Sequence, residues 1–205
     1  MKAEEREILE ATLRAHHARG DFRATATAAL EAYGPEVLGF LVNLMRDRQD
    51  AGEVFSSFCE DVWAGLPGFK FQCSFRTWAY TLARHAAQRF REDPHARRRR
   101  GLADHPEIEE IEQRLRTTTV TYLRTDAKDR VRAMREALDP DDQTLLVLRI
   151  DRDMPWNEVA RVFLGEDEAV DDAAIARKAT ALRKQFERVK ATLRARIAAE
   201  RSGSE

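Results

Sequence analysis

Apolar residues recur along most of this chain at helical spacing, and only one short stretch has strand-like composition. In Ser74 to Arg91 the positions Phe75, Ala79, Leu82, Ala83, Ala86 and Phe90 fall on one helical face that can pack on a core. Val37, Leu38, Phe40, Leu41 and Leu44 predict a helix that starts at Pro35, with the proline in its first turn. Val54, Phe55, Phe58, Val62 and Trp63 predict another from Asp50 to Leu66. There Asp50 is the expected N-cap and Glu53 completes a capping-box pattern. Leu66-Pro67-Gly68 ends that helix, and Ser74 caps the next. Residues 4–32 read as one or two helices broken near Gly20-Asp21.

The second half has its own apolar pattern. Asp129 to Leu138 reads as a helix, and Asp139 caps a following one with Pro140 at its first position and Leu145, Leu146, Leu148 and Ile150 inside. Pro155 to Leu164 is a short helix, and Gly165 opens an acidic turn. A last helix from Ala173 to Ile197 carries Ile175, Ala179, Leu182, Phe186, Val189, Leu193 and Ile197 as a near-heptad seam. Short helix, turn and long basic helix together form a helix-turn-helix pattern. Between the halves, residues 92–126 are polar and charged and read as a linker, with a short helix over Glu107 to Arg116. Thr117 to Thr125 is strand-like but isolated, so no sheet is expected.

The expected architecture is therefore all-α. It has an N-terminal helical extension over 1–32, a first domain over 33–91, the charged linker over 92–126, and a helix-turn-helix domain over 127–205. Composition agrees. Of 205 residues, 43% are hydrophobic, enough for real cores, and Gly and Pro are scarce at 9 and 6. The net charge is only −1, so bulk attraction to a polyanion is excluded as an argument and local asymmetry takes its place. Bases gather in Arg76 to Arg100 and in Arg177 to Arg196. Acids gather in Asp104 to Glu112, Asp139 to Asp142 and Glu166 to Asp172.

The chemistry points to binding rather than catalysis. Arg76, Arg84, Arg89 and Arg91 make one side of the Ser74–Arg91 helix basic, and Trp78 and Tyr80 add rings. Guanidiniums beside rings can hold phosphates next to unstacked bases. Cys59 and Cys73 come with no CxxC pair or histidine cluster, so they are expected to be reduced thiols, with no metal and no cofactor. No nucleotide loop or nucleophile–base motif stands out, so an enzyme is not expected. No apolar stretch of signal or membrane-spanning type is present, and a cytoplasmic protein is expected.

With these residues in view, the chain resembles the sigma-70 family of bacterial transcription initiation factors, in its small extracytoplasmic-function (ECF) group. The resemblance rests on DAGEVFSSFCEDVW at 50–63, FKFQCSFRTWAYTLARHAAQRFR at 69–91 and LDPDDQTLLVLRIDRDMPWNEVARVFLG at 138–165. It implies that the first domain binds the β′ clamp helices of core RNA polymerase and opens the −10 element of promoter DNA. It implies that the second binds the β flap and reads the −35 element. Lys70, Gln72, Phe75, Arg76, Trp78, Arg84, Arg89 and Arg91 are the candidate −10 contacts. Arg177, Lys178, Arg183 and Lys184 are the candidate −35 contacts, and Asp50, Glu53, Ser56, Ser57, Glu60 and Asp61 the candidate polymerase contacts.

Two departures from the family pattern stand out. Gly52 replaces an acid, and Ser56-Ser57 replace Gln-Glu, on the surface the family turns to the clamp. Phosphorylation of Ser56 or Ser57 by a Ser/Thr kinase would restore charge there; an anti-sigma factor is the other expected controlling partner. The turn LGEDEAVDD is also longer and more acidic than the family's. Two other readings compete: an autonomous helix-turn-helix regulator that binds duplex DNA alone, and a helical adaptor or anti-sigma-like protein that never touches DNA.

Overall fold

The computed structural model describes residues 1–45, 47–92, 106–122, 137–165 and 171–202. Eight α-helices and no strands occur among them, in the all-α class the periodicity predicts. The chain divides into two compact units, residues 1–124 and 125–205. The Arg97–Arg100 run, the Asp129–Leu138 helix and the acids of the 166–170 turn fall outside the described residues or mostly so.

The first unit is built around one helix. α1 is Ala3–Ala18, α2 Phe22–Leu44, α3 Arg48–Gly65, α4 Phe75–Glu92 and α5 Pro106–Tyr122. α2 packs against all four others. Its sequence explains this: Ala26, Ala29, Leu30, Tyr33, Val37, Leu38, Phe40, Leu41 and Val42 bury most of its circumference and leave only the side of Glu31 and Pro35 exposed, which suits the centre of a bundle.

Four sequence expectations are corrected here. α2 does not start at Pro35 but runs straight through it from an Asp21 cap, whose carboxylate accepts the Ala24 amide at 3.0 Å. Pro35 lies on an exposed side, where the carbonyl it leaves unpaired at Glu31 can turn to water. α3 is capped by Asp47, not Asp50; its carboxylate accepts the amides of Gln49 and Asp50 at 2.6 and 3.1 Å. Finally, residues 106–122 are no linker. α5 lays Ile108, Ile111 and Leu115 on α2 and α3, a buried stripe at helical spacing that the surrounding charges obscure. The strand-like TTTVTY stretch is the end of this helix. The region read as an extension, 1–32, likewise belongs to the compact unit, since α1 and the first half of α2 pack within it.

The second unit contains α6, Pro140–Leu146, α7, Trp156–Leu164, and α8, Asp172–Ser202. Asp139 caps α6 by accepting the Asp141 amide at 2.9 Å, with Pro140 in the first turn as expected. The helix then widens into one π-type turn over Val147–Asp151. Gly165 takes φ +79°, a left-handed value that glycine adopts freely, and stops α7. Asp171 caps α8 through the Ala174 amide. Ile175, Ala179, Leu182 and Val189 are buried, whereas Ile197, expected on the same seam, is 39% exposed. The core of this unit therefore ends near Val189, and the last turns of α8 project from it.

Candidate nucleic-acid interface

Phe69 to Ser74 forms the loop that leads into α4, and three sets of contacts fix its shape. Ser74 caps α4, its Oγ accepting the Thr77 amide at 3.1 Å. The first two amides of α4 are capped from elsewhere in the chain. The Glu10 carboxylate on α1 accepts Phe75 N at 2.8 Å and Arg76 N at 3.1 Å. Carboxylate at a helix N-terminus also meets the positive end of the helix dipole. The same carboxylate accepts the Tyr33 hydroxyl at 2.7 Å. Burial, that hydrogen bond and the Glu10 charge all push the Tyr33 hydroxyl well above its ordinary pKa.

Further along α1, the Arg14 guanidinium lies 5.3 Å from the centre of the Phe71 ring. His17 meets Phe71 edge-on at 5.2 Å, and its Nε2 donates to the Leu66 carbonyl at 2.8 Å. Glu10, Arg14 and His17 stand at helical spacing on one face of α1, around the buried Leu13. Sequence reasoning missed them because their partners lie 49 to 66 residues away. The spacing of 10, 13, 14 and 17 was the available signal.

Phe71 itself has φ +52°, a left-handed conformation that costs a non-glycine residue energy and persists only where the surroundings enforce it. Phe69 stacks on Trp78 at 4.4 Å, and Phe75 meets Trp78 edge-on at 5.2 Å. Trp78 also lies against Gly65, where a Cβ would come within 2.9 Å of its ring. The last residue of α3 is thus small because the indole needs the space.

These contacts sort the candidates. Lys70 and Gln72 are exposed on the loop. Phe75 and Trp78 are core residues, 1% and 5% exposed, and do not offer rings to a base. Arg76 is 3% exposed, with Nε and Nη2 on the Glu36 carboxylate at 2.7 and 3.3 Å, so it is a structural ion pair rather than a phosphate ligand. All three corrections have one cause: the first turns of α4 are buried on every side, a pattern that reads as amphipathic only when arginine is taken as exposed. Arg84 is half-buried. Arg89 and Arg91 are exposed on the last turn, where α4 leaves the core. Arg89 pairs with Asp61 of α3, joining a candidate DNA contact to a candidate polymerase contact.

On α3, Asp50, Glu53, Ser56, Ser57, Glu60 and Asp61 are all half-buried. The Ser56 hydroxyl donates to Glu112 of α5 at 2.7 Å. Cys59 is buried and Cys73 half-exposed, both free; burial pushes the Cys59 thiol well above its ordinary pKa. Among the described residues, no His/Cys/Asp/Glu group could hold a metal. No described helix is long and apolar enough to cross a membrane.

In the second unit Arg177, Arg183 and Lys184 are exposed on the first half of α8, and Lys178 is half-buried with its ammonium 5.8 Å from the Phe163 ring centre. The Arg183 guanidinium lies 5.5 Å from the centre of Trp156, which Arg149 approaches to 4.8 Å. Phe186 meets the same indole edge-on at 5.6 Å. This ring-and-guanidinium cluster, of which Arg183 alone is among the sequence-based candidates, ties α7 to α8.

No curated protein matches the chain. Residues 29–101 match the family model of Sigma-70 region 2, a span that covers most of α2 and all of α3 and α4. Over that span the chain is similar to sigma-70 region 2.

Proposed function

We propose that this protein is a promoter-specificity factor of the ECF type, which binds core RNA polymerase and directs it to initiate transcription. The observation that carries this reading is the loop before α4 within the sigma-70 region 2 match. It is clamped by Glu10, Arg14 and His17, and it leaves Lys70 and Gln72 exposed. A rigid loop with one cation and one amide suits capture of a single unstacked base. Polar contact must then offset an unstacking cost of a few kcal/mol. The exposed arginines at the far end of α4, Arg89 and Arg91, extend the basic surface along the strand.

α7, the turn at Gly165 and the Asp171-capped α8 support a helix-turn-helix that reads the −35 element. Arg177 and Lys178 are nearest the N-terminal end that enters a major groove in such motifs. The factor has no catalytic activity of its own in this reading, and its partners are core polymerase and promoter DNA. Control by a Ser/Thr kinase acting at Ser56 or Ser57, or by an anti-sigma factor, is a finer element of the proposal. It draws support only from the unusual serine pair in α3. A phosphoryl group on Ser56 would bring about −1.5 to −2 charges against Glu112 and open that contact.

Run-off transcription with purified core polymerase on a genomic promoter library tests the reading. Initiation at a defined subset of promoters, dependent on this protein, is the expected result; no stimulation rejects it. Tight binding to duplex DNA without polymerase would favour the autonomous regulator instead.

A further inference from the structure

α5 docks on α2 and α3 through contacts built for it. Glu112 is a buried carboxylate, 5% exposed, that accepts the Ser56 hydroxyl at 2.7 Å and the Arg116 guanidinium at 3.1 Å. Two glycines inside helices open the space beneath. A Cβ on Gly34 of α2 would stand 2.4 Å from Leu115 Cδ1. A Cβ on Gly52 of α3 would stand 2.7 Å from an Arg116 guanidinium nitrogen. Glycine within a helix lowers helix stability, so its presence at both contact points marks a close approach that the sequence accommodates.

Gly52 and Ser56 are also two of the α3 positions that depart from the sigma-family pattern, on the surface which that family turns to the polymerase clamp. The departures and the α5 contacts coincide. We propose that α5 is an intramolecular occupant of the Gly52–Ser56 edge of that surface, and that α5 and core polymerase compete for it. The inference rests on the proposed polymerase-binding function. Apparent affinity for polymerase then scales with the fraction of molecules whose α5 has left α3. Charge supports release over simple loss of packing: Ser56, Glu112 and Arg116 are polar groups that water or a polar partner can satisfy once α5 departs.

The test uses the full chain in a Cys59→Ala/Cys73→Ser background. Gly34→Cys with Leu115→Cys, oxidised, holds α5 in place, and reduction frees it. Gly34→Ala works in the other direction, since it favours the α2 helix while pushing Leu115 away. Affinity for purified core polymerase is measured by fluorescence anisotropy of a labelled C-terminus. Competition predicts that the oxidised protein binds at least about tenfold more weakly than the same protein reduced. It also predicts that Gly34→Ala binds more tightly than the unaltered chain. Should the cysteine pair fail to fold, amide exchange on the unaltered chain still decides: Ile108 to Leu115 must lose protection when polymerase is added. Equal affinities, tighter binding by the oxidised form, or unchanged protection of α5 would each overturn the competition and leave the polymerase reading standing. Absence of binding by every form would remove that reading and the inference with it.

Discussion

The Glu10 carboxylate of α1 accepts the Phe75 backbone amide at 2.8 Å, although 65 residues separate the two in sequence. It accepts the Arg76 amide and the Tyr33 hydroxyl as well, so its removal strands several donors at once. Each buried donor left without an acceptor costs about 1–3 kcal/mol. Glu10→Ala is therefore expected to lose at least that much stability in urea denaturation. Glu10→Gln, which keeps one acceptor oxygen, should lose less. Equal loss in the two variants would show that the charge and the second oxygen, not the shape or a single acceptor, carry the contact.

The Tyr33 hydroxyl gives this junction a pH signature. In the folded protein it stays neutral well above the ordinary value of 10.0, because burial, the Glu10 hydrogen bond and the Glu10 charge all oppose ionisation. The unfolded chain releases the proton near its ordinary value, so the unfolded state binds fewer protons there. Stability is then whole below about pH 10 and falls as pH rises beyond it. Tyr33→Phe should show a shallower alkaline loss than the unaltered chain when urea midpoints are compared across that range.

Arg76 and Glu36 form an ion pair in which the arginine is 3% exposed. Arg76→Ala removes a buried guanidinium from the Glu36 carboxylate and is expected to cost about 3–5 kcal/mol. The double variant Arg76→Met/Glu36→Leu should recover most of that loss. In that folded background, the salt dependence of binding to −10 single-stranded DNA should match the unaltered protein. A shallower slope would return Arg76 to the phosphate-binding set.

Lys70 and Gln72 are expected to separate cleanly in holoenzyme binding. Lys70→Ala should reduce the slope of log affinity against log salt by about 0.7–0.9, one phosphate contact, for every DNA sequence alike. Gln72→Ala should leave the slope unchanged and weaken discrimination between −10 sequences. If both variants behave identically, the loop does not read a base.

In the second unit, Trp156→Leu keeps an apolar side chain but removes the ring that Arg149, Arg183 and Phe186 approach. Two cation–π contacts and one edge-to-face pair together contribute about 2 kcal/mol. Thermal unfolding of the full chain should show a lower midpoint for the transition of residues 125–205.

Much of the fold is legible in the apolar spacing, because cores made of Leu, Val, Phe and Ala leave a periodic trace. The Asp139–Pro140 start of α6 and the Ser74 cap of α4 are written locally, and both are found where the sequence places them. The first-turn reading of Pro35 fails because burial around most of α2 outweighs one hydrogen bond lost on its exposed side. α5 is missed because its three apolar contacts are spread among charges, and one of its buried groups, Glu112, is itself an acid. The candidate interface follows the same rule. Lys70 and Gln72 lie on an exposed loop as expected. Phe75, Arg76 and Trp78 do not, since nothing in a single sequence separates a buried arginine with a distant carboxylate from one in water.

The Glu10 junction also imposes an order on synthesis. α1 leaves the ribosome before α4, and domains assemble from the N-terminal side as the chain emerges. The acceptor for the start of α4 is thus already outside when the Phe75 and Arg76 amides appear. Until then the loop has the Arg14 and His17 contacts to Phe71 but lacks the Glu10 cap that fixes where α4 begins. The surface with the exposed Lys70 and Gln72 therefore takes its full shape only once α4 has begun to emerge, and a nascent chain halted before that point would lack the Glu10 half of its clamp.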